Sequence, residues 1–309
     1  MLISRSSLCT EYKTYLGDNL MALAIATNNA ALNAAASASS VNRDMETSMA
    51  RLSSGKRINS ASDDAAGVAI SSRLSAEIRG TDQAIRNSLD GQALIDTAEG
   101  AHKEIENILQ RMREVGVQAA NDTNNDQDRS NLQAEMDAML TEIDRIAGTT
   151  TWAGASLMAD DAAATVFSFQ VGAATGDKNQ ISVSINGMNG DALSLSTGGT
   201  SDLFVTDDDA DGTGQDDALA AVTLIDDAIK TVNIQRSKLG AVSNRLTHTV
   251  NNLTNISSNL SAAKGGIEDA DFALETTNLA KNQILQQAST AMLAQANASK
   301  QNVLSLLQG

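Results

Sequence analysis

The chain has no proline among its 309 residues, and only one cysteine, two histidines and seven aromatic side chains (four Phe, two Tyr, one Trp). Proline fixes φ and removes an amide donor, so a chain without it can run long helices uninterrupted. Together with the scarcity of aromatics, this argues against a loop-rich enzyme or an aromatic-cored β-sandwich. Cys9 stands alone and cannot close an internal disulfide. Basic residues are also in deficit, 22 against 38 acidic for a net charge of −16. Such a field repels phosphate backbones and anionic lipid, which excludes nucleic acid and the membrane surface as natural partners. Apolar runs such as Met21–Ala26 and Ala34–Ala36 fall far short of the ~18 residues that a membrane span requires. Residues 1–20 lack the continuous apolar core of a secretory signal. The expectation is a chain made in the cytoplasm that needs no cleaved signal to leave it. What remains is 42% apolar content, enough for buried cores, over a length that suggests about two domains.

Hydrophobic period then divides the chain. Residues 1–20, with Arg5, Cys9, Tyr12 and Tyr15, read as a disordered extension or a misassigned start ahead of Met21. From Ala22 to Arg57 the chain is mostly Ala, Ser and Asn, with Val41, Met45, Ser48 or Met49, and Leu52 on one helical stripe. Alanine buries little area, so this helix needs a partner to order. From Gly91, the residues Leu94, Ala98, Ala101, Ile105, Ile108, Met112, Val115 and Ala119 alternate steps of four and three, a coiled-coil seam. The seam resumes at Leu132, Met136, Met139, Ile143 and Ile146, predicting a helical hairpin that turns at Asn121–Asn125. Val166, Phe167, Phe169 and Val171, then Ile181, Val183 and Ile185, switch to strand alternation around a Gly-containing loop, a β-hairpin. Residues 186–215 show no period and read as a surface insertion. Ile225, Val232, Leu239, Leu246, Leu253 and Leu260 then recur every seven residues, a line able to dock on the hairpin. Arg236, Ser243 and Ser257 weaken the opposite seam position. After Gly265-Gly266 an Ala/Gln/Asn-rich helix carries Leu279, Leu285, Ala288, Met292, Val303, Leu306 and Leu307.

Catalytic chemistry finds little support. There is no H-E-x-x-H, no G-x-S-x-G and no phosphate-binding glycine loop, and His102 and His248 lie far apart on helices, where both read as exposed or bundle-edge residues. We expect no enzyme activity and no cofactor. Asp207, Asp209, Asp211 and Gly212 match the start of a calcium loop, but Ala218 stands where a bidentate Glu is needed. A solvated acidic loop is therefore favoured over a metal site. Thin apolar stripes at both ends, too weak to fold alone, are what an assembling subunit leaves for its neighbours.

Two motifs sharpen this. Arg51-Leu52-Ser53-Ser54-Gly55-Lys56-Arg57-Ile58-Asn59-Ser60, with Asp63-Asp64-Ala65-Ala66-Gly67 after it, resembles the amino-terminal signature of bacterial flagellins. Ile267-Glu268-Asp269-Ala270-Asp271-Phe272-Ala273, then Met292-Leu293-Ala294-Gln295-Ala296-Asn297 and Val303-Leu304-Ser305-Leu306-Leu307, is similar to the carboxy-terminal one. Trp152-Ala153-Gly154 departs from the usual Phe-Asn-Gly, Lys300 replaces a common proline, and Gly265-Gly266 replaces Ser-Arg, implying a flexible joint there. The resemblance implies a mainly α, elongated antiparallel coiled-coil or helical bundle with a small β-hairpin region, its terminal helices pairing in the assembled filament. Its parts would be 1–20, the extension; 21–66, the amino-terminal half of the inner helical domain; 67–186, the outer domain; 187–215, a short variable insertion; 216–264, the outer-domain return helix; and 265–309, the carboxy-terminal half of the inner domain.

The same resemblance implies a subunit that polymerises into the flagellar filament outside the cell, after export by the flagellar type III apparatus. A hook–filament junction protein is the alternative. Implied partners are further copies of the chain, an export chaperone, and hook-associated and cap proteins. Gln110, Arg111, Arg113 and Glu114 resemble the stretch that contacts a neighbouring subunit or Toll-like receptor 5. Leu279, Leu285, Met292, Val303, Leu306 and Leu307 would serve polymerisation and chaperone binding. Leu94, Ile105, Ile108, Met112, Leu239, Leu246, Leu253 and Leu260 would form the coiled-coil core.

Overall fold

A computed structural model describes residues 27–158, 164–197, 200–201, 203 and 214–308. Residues 1–20 and the acidic run with Asp207, Asp209 and Asp211 lie outside the described residues. In chain order the elements are α1 (Asn29–Ser54), α2 (Ala65–Ala119), α3 (Asp126–Thr149), β1 (Thr151–Trp152), β2 (Ala155–Ser156), β3 (Thr165–Gln170), a single 3₁₀ turn (Asp177–Asn179), β4 (Gln180–Ile185), β5 (Ser196–Thr197), β6 (Thr200–Ser201), α4 (Gly214–Glu268) and α5 (Phe272–Gln308). Among the described residues no helix is long and apolar enough to cross a membrane.

The boundaries follow local chemistry. The Asn28 side chain caps α1 by accepting from Ala31 N at 3.1 Å, and Gly55 ends that helix in the left-handed region at φ 70°. Asn125 and Asp128 form a reciprocal capping box at the start of α3, which fixes the turn after α2 where the sequence places it. Asp64 accepts from Gly67 N at 2.9 Å and opens α2.

Two compact units result, one holding the described residues up to Ser72 and from Lys264, the other Arg73–Ala263. In the central unit α2, α3 and α4 bury one core, in which Leu94, Ile105, Met112, Leu239 and Leu246 are essentially inaccessible and Leu253 nearly so. Ile108 and Leu260 are half-buried. β3 and β4 pair antiparallel from Thr165↔Ile185 to Gln170↔Gln180, so that Ile181, Val183 and Ile185 all face the core. Phe169 approaches so closely that a Cβ on Gly91 would sit 3.2 Å from its ring, so a larger residue there would require the ring to shift.

The structure corrects four sequence-based expectations. α2 begins at Ala65 rather than near Gly91, because nothing between interrupts it and only the apolar seam starts later. The Gly265-Gly266 pair does not break the helix: α4 runs through it to Glu268, with Asp269 N still donating to Gly265 O at 2.8 Å. The chain turns instead at Asp269–Asp271, where hydrogen bonds to the loop after α1 replace those of the helix. The 186–215 stretch is not merely a surface insertion, since Met188, Leu193, Leu195 and Leu203 lie in the core. Gly190 N anchors it by donating to Asp144 Oδ1 at 2.7 Å.

His102 is the fourth. It is fully buried rather than exposed, with Nδ1 2.6 Å from Ala98 O and no partner for Nε2. Burial, reinforced by Arg236, holds its pKa below the usual imidazole value. Arg236, one of the polar interruptions of the seam, is accounted for by ion pairs to Glu106 and, at 3.6 Å, to Glu99. His248 is exposed, as expected.

Candidate assembly surfaces

The terminal unit pairs α1 with α5 in antiparallel register. Asn28 Nδ2 donates to Ala296 O at 3.1 Å, Gln286 Nε2 to Asn42 Oδ1 at 2.9 Å, and Arg51 Nη1 meets Glu275 Oε1 at 2.9 Å. The seam fully buries the polar side chains Ser48, Glu275 and Asn282, and half-buries the apolar Val41, Met45, Leu52 and Leu293. Apolar side chains face out: Leu32, Met49, Phe272, Leu274, Ile284, Leu285 and Met292 are all exposed, Ile284 to 67% and Met292 to 65%. Leu279 is half-buried, and the side chains of Val303, Leu306 and Leu307 on α5 lie outside the described set. Fully burying an aliphatic side chain of this size contributes about 1.5–3 kcal/mol. A row of them left in water marks a surface built to be covered.

The residues of the first motif hold the two ends of the chain together. Ala270 N donates to Gly55 O at 3.0 Å and Arg57 N to Glu268 O at 2.6 Å, around a bridge between Lys56 and Asp269. Arg57 Nη2 reaches Ile267 O at 2.8 Å, and Lys56 Nζ meets Glu268 at 2.9 Å. A hydrogen bond from Ser71 and the Lys56 ammonium lower the Glu268 pKa, while the Ser60 and Asn59 amides lower that of Asp63 in the same loop. The motif is therefore a clasp.

On α2, Gln110, Arg111, Arg113 and Glu114 are exposed while Leu109, Met112 and Val115 are buried, so the helix separates the predicted contact residues from the seam. Leu109 lies beyond the strict heptad positions; α2 is enclosed by partners on more than one side and buries a wider stripe. Arg111 pairs with Glu114 at 3.0 Å and with Glu135 on α3 at 2.9 Å, and Arg113 with Asp226 on α4 at 2.6 Å. Exposed pairs of this kind add little to stability. Arg111→Ala should leave the melting temperature of the monomer within about 2 °C of the parent; a larger drop in a thermal melt would place Arg111 in the core instead.

Residues 25–163 match the model of the bacterial flagellin N-terminal helical region, and residues 222–307 that of the C-terminal helical region. The chain belongs to the bacterial flagellins. It is 45% identical to a flagellin of Bacillus subtilis over 301 residues, covering 91% of this chain and 98% of that one. It is also 45% identical to one of Halalkalibacterium halodurans over 263 residues, covering 85% and 92%. With polar flagellin F of Vibrio parahaemolyticus the identity is 35%, covering 93% and 100%. A solved putative flagellar hook-associated protein from V. parahaemolyticus shares the fold at TM-score 0.55 and 20% identity, covering 67% of this chain and 100% of that chain.

This flagellin is thus a structural subunit that polymerises with itself into the flagellar filament outside the cell. The hook-junction alternative is not favoured, because the matching relatives at 35–45% identity are filament proteins over nearly their whole length. The two family models cover α1 to α3 and most of α4 with α5, leaving the β3–β4 hairpin and the stretch after it between them.

Proposed function

We infer that the terminal helices join neighbouring copies through Leu274, Ile284, Leu285 and Met292 of α5 and Leu32 and Met49 of α1. The observation that carries this is the row of exposed apolar side chains on the outside of the pair. Before export, the segment carrying Leu279, Leu285, Met292, Val303, Leu306 and Leu307 is what a cytoplasmic chaperone covers. The chain then passes unfolded through the flagellar type III apparatus and is received by hook-associated and cap proteins. Gln110, Arg111, Arg113 and Glu114 form a second exposed contact, open to a neighbouring subunit or to Toll-like receptor 5. In this division, residues 21–66 and 265–309 belong to the inner domain and 67–264 to the outer.

The test is Ile284→Ser with Met292→Ser. Both side chains are exposed in the monomer, so its melt should not change, while the protein concentration needed for filament growth should rise about tenfold or more. Growth at the parent concentration would refute the assignment. Deleting residues 271–309 should abolish polymerisation and chaperone binding together; a truncated chain that still binds the chaperone would remove α5 as its site.

A further inference from the structure

The chain has ten methionines, and the structure sorts them sharply by exposure. Met112, Met136, Met158 and Met188 are fully buried in the central unit, and Met45 and Met139 are half-buried. Among the described residues the exposed ones are Met49, to 54%, and Met292, to 65%. Both stand on the terminal pair, while Met1 and Met21 lie outside the described residues. Open thioethers therefore coincide with the apolar surface that the terminal helices leave uncovered.

The register of the pair sets the two sulfurs toward its opposite ends. Arg51 meets Glu275, Gln286 meets Asn42 and Asn28 meets Ala296. Met49 is therefore level with the start of α5, where Phe272 and Leu274 are exposed, and Met292 is level with the start of α1, where Leu32 is exposed. A thioether is apolar enough to be covered together with such neighbours. It is also the one side chain among them that a two-electron oxidant attacks.

We propose that Met49 and Met292 are oxidation sites through which peroxide controls assembly, blocking a chain that has not joined a filament and sparing one that has. In each event one oxygen of hydrogen peroxide is transferred to a sulfur lone pair, the O–O bond breaks and water leaves. The sulfur is oxidised to the sulfoxide and the peroxide is reduced. The product is a polar group that needs hydrogen-bond donors, and a neighbour's apolar side chains offer none. Once a chain is assembled, both sulfurs are covered. Methionine sulfoxide reductases reverse the step: two thiols close to a disulfide and the oxygen leaves as water. The proposal rests on the assembly reading above and adds chemical control to the same surface.

Hydrogen peroxide applied to the purified full chain tests it. Peptide mass mapping of the monomer should find oxygen at Met49 and Met292 well before the four buried methionines. The oxidised monomer should then need about a tenfold higher concentration to grow filaments. Cys9, the one thiol, is restored by dithiothreitol alone, whereas growth should return only when the two epimer-specific reductases are added with it. A variant with Met49→Leu and Met292→Leu nearly conserves volume and should grow like the parent, before and after peroxide. Assembled filaments should take up oxygen at both sites several-fold more slowly than monomer. Earlier oxidation of the buried methionines, undiminished growth of the oxidised parent, equal sensitivity of the leucine variant, or equal uptake by monomer and filament overturns the proposal. If the leucine variant grows poorly, the reductase arm decides: growth that returns as oxygen leaves Met49 and Met292 upholds the proposal, and growth that stays low overturns it. Unchanged growth of the Ile284→Ser, Met292→Ser variant sinks the assembly reading and this control with it, whereas impaired growth of that variant beside an unaffected oxidised parent overturns the control alone.

Discussion

Leu246→Ala is expected to destabilise the central unit by about 2–5 kcal/mol, the cost of deleting buried methyl groups and leaving a cavity. Leu246 is fully enclosed and sits mid-way along the line from Ile225 to Leu260. For a unit of this size the loss lowers the melting temperature on the order of 10 °C. Accessibility rises along the line, from none at Leu246 to 8% at Leu253 and to half-buried at Leu260. The same substitution should therefore cost less at each step, and Leu260→Ala no more than about 1 kcal/mol. Denaturant melts of the three variants measure the gradient. Equal costs at Leu246 and Leu260 would mean that the core extends to Leu260 and that its exposure misrepresents it.

Acid should loosen the central unit through His102. Its folded pKa is lowered, first by burial and then by Arg236, so below the ordinary value of 6.5 the unfolded chain binds a proton that the folded chain resists. The stability that neutral His102 permits is fully present above 6.5 and is lost as pH falls from there through the lowered folded value. The slope approaches about 1.4 kcal/mol per pH unit in that window. Arg236 disfavours the incoming proton and Glu99 favours it, without outweighing burial. His102→Leu removes both the titration and the partnerless Nε2. Its advantage over the parent should be small at pH 8 and grow steadily toward pH 5 in paired thermal melts. An advantage constant across that range would exclude His102 as the source of acid lability. Carboxylates elsewhere titrate equally in both proteins and cancel in the difference.

Much of this architecture is legible in the sequence because coiled-coil helices write their contacts at a fixed period. Leu94 to Ala119, Met136 to Ile146 and Ile225 to Leu253 all lie where that period places them. The missed residues obey no period. His102 occupies a core position that an aliphatic side chain would have announced, and its charged neighbour Arg236 lies more than 100 residues away in sequence. Met188, Leu193 and Leu195 enter the core from turns, where single inward side chains leave no repeat to read. The glycine pair in α4 misleads for the opposite reason: local propensity favours a break, but helix hydrogen bonds carry through to Asp269, and the clasp with Gly55 and Arg57 takes over where the helix ends at Glu268. For the assembly surfaces, the stripe on α5 is visible in sequence, whereas its outward orientation is not. Period shows that one face is apolar and leaves open which face a single partner takes.

The polar seam of the terminal pair bears on fidelity. An apolar seam tolerates slippage, since one leucine replaces another a turn away, but Glu275 has one suitable counterpart in Arg51, and Asn42 and Asn28 have theirs in Gln286 and Ala296. A copy that settles with α5 one turn out of step strands a buried carboxylate, at a penalty of several kcal/mol. The register of the pair is therefore set within each chain, before its outward apolar side chains meet any neighbour.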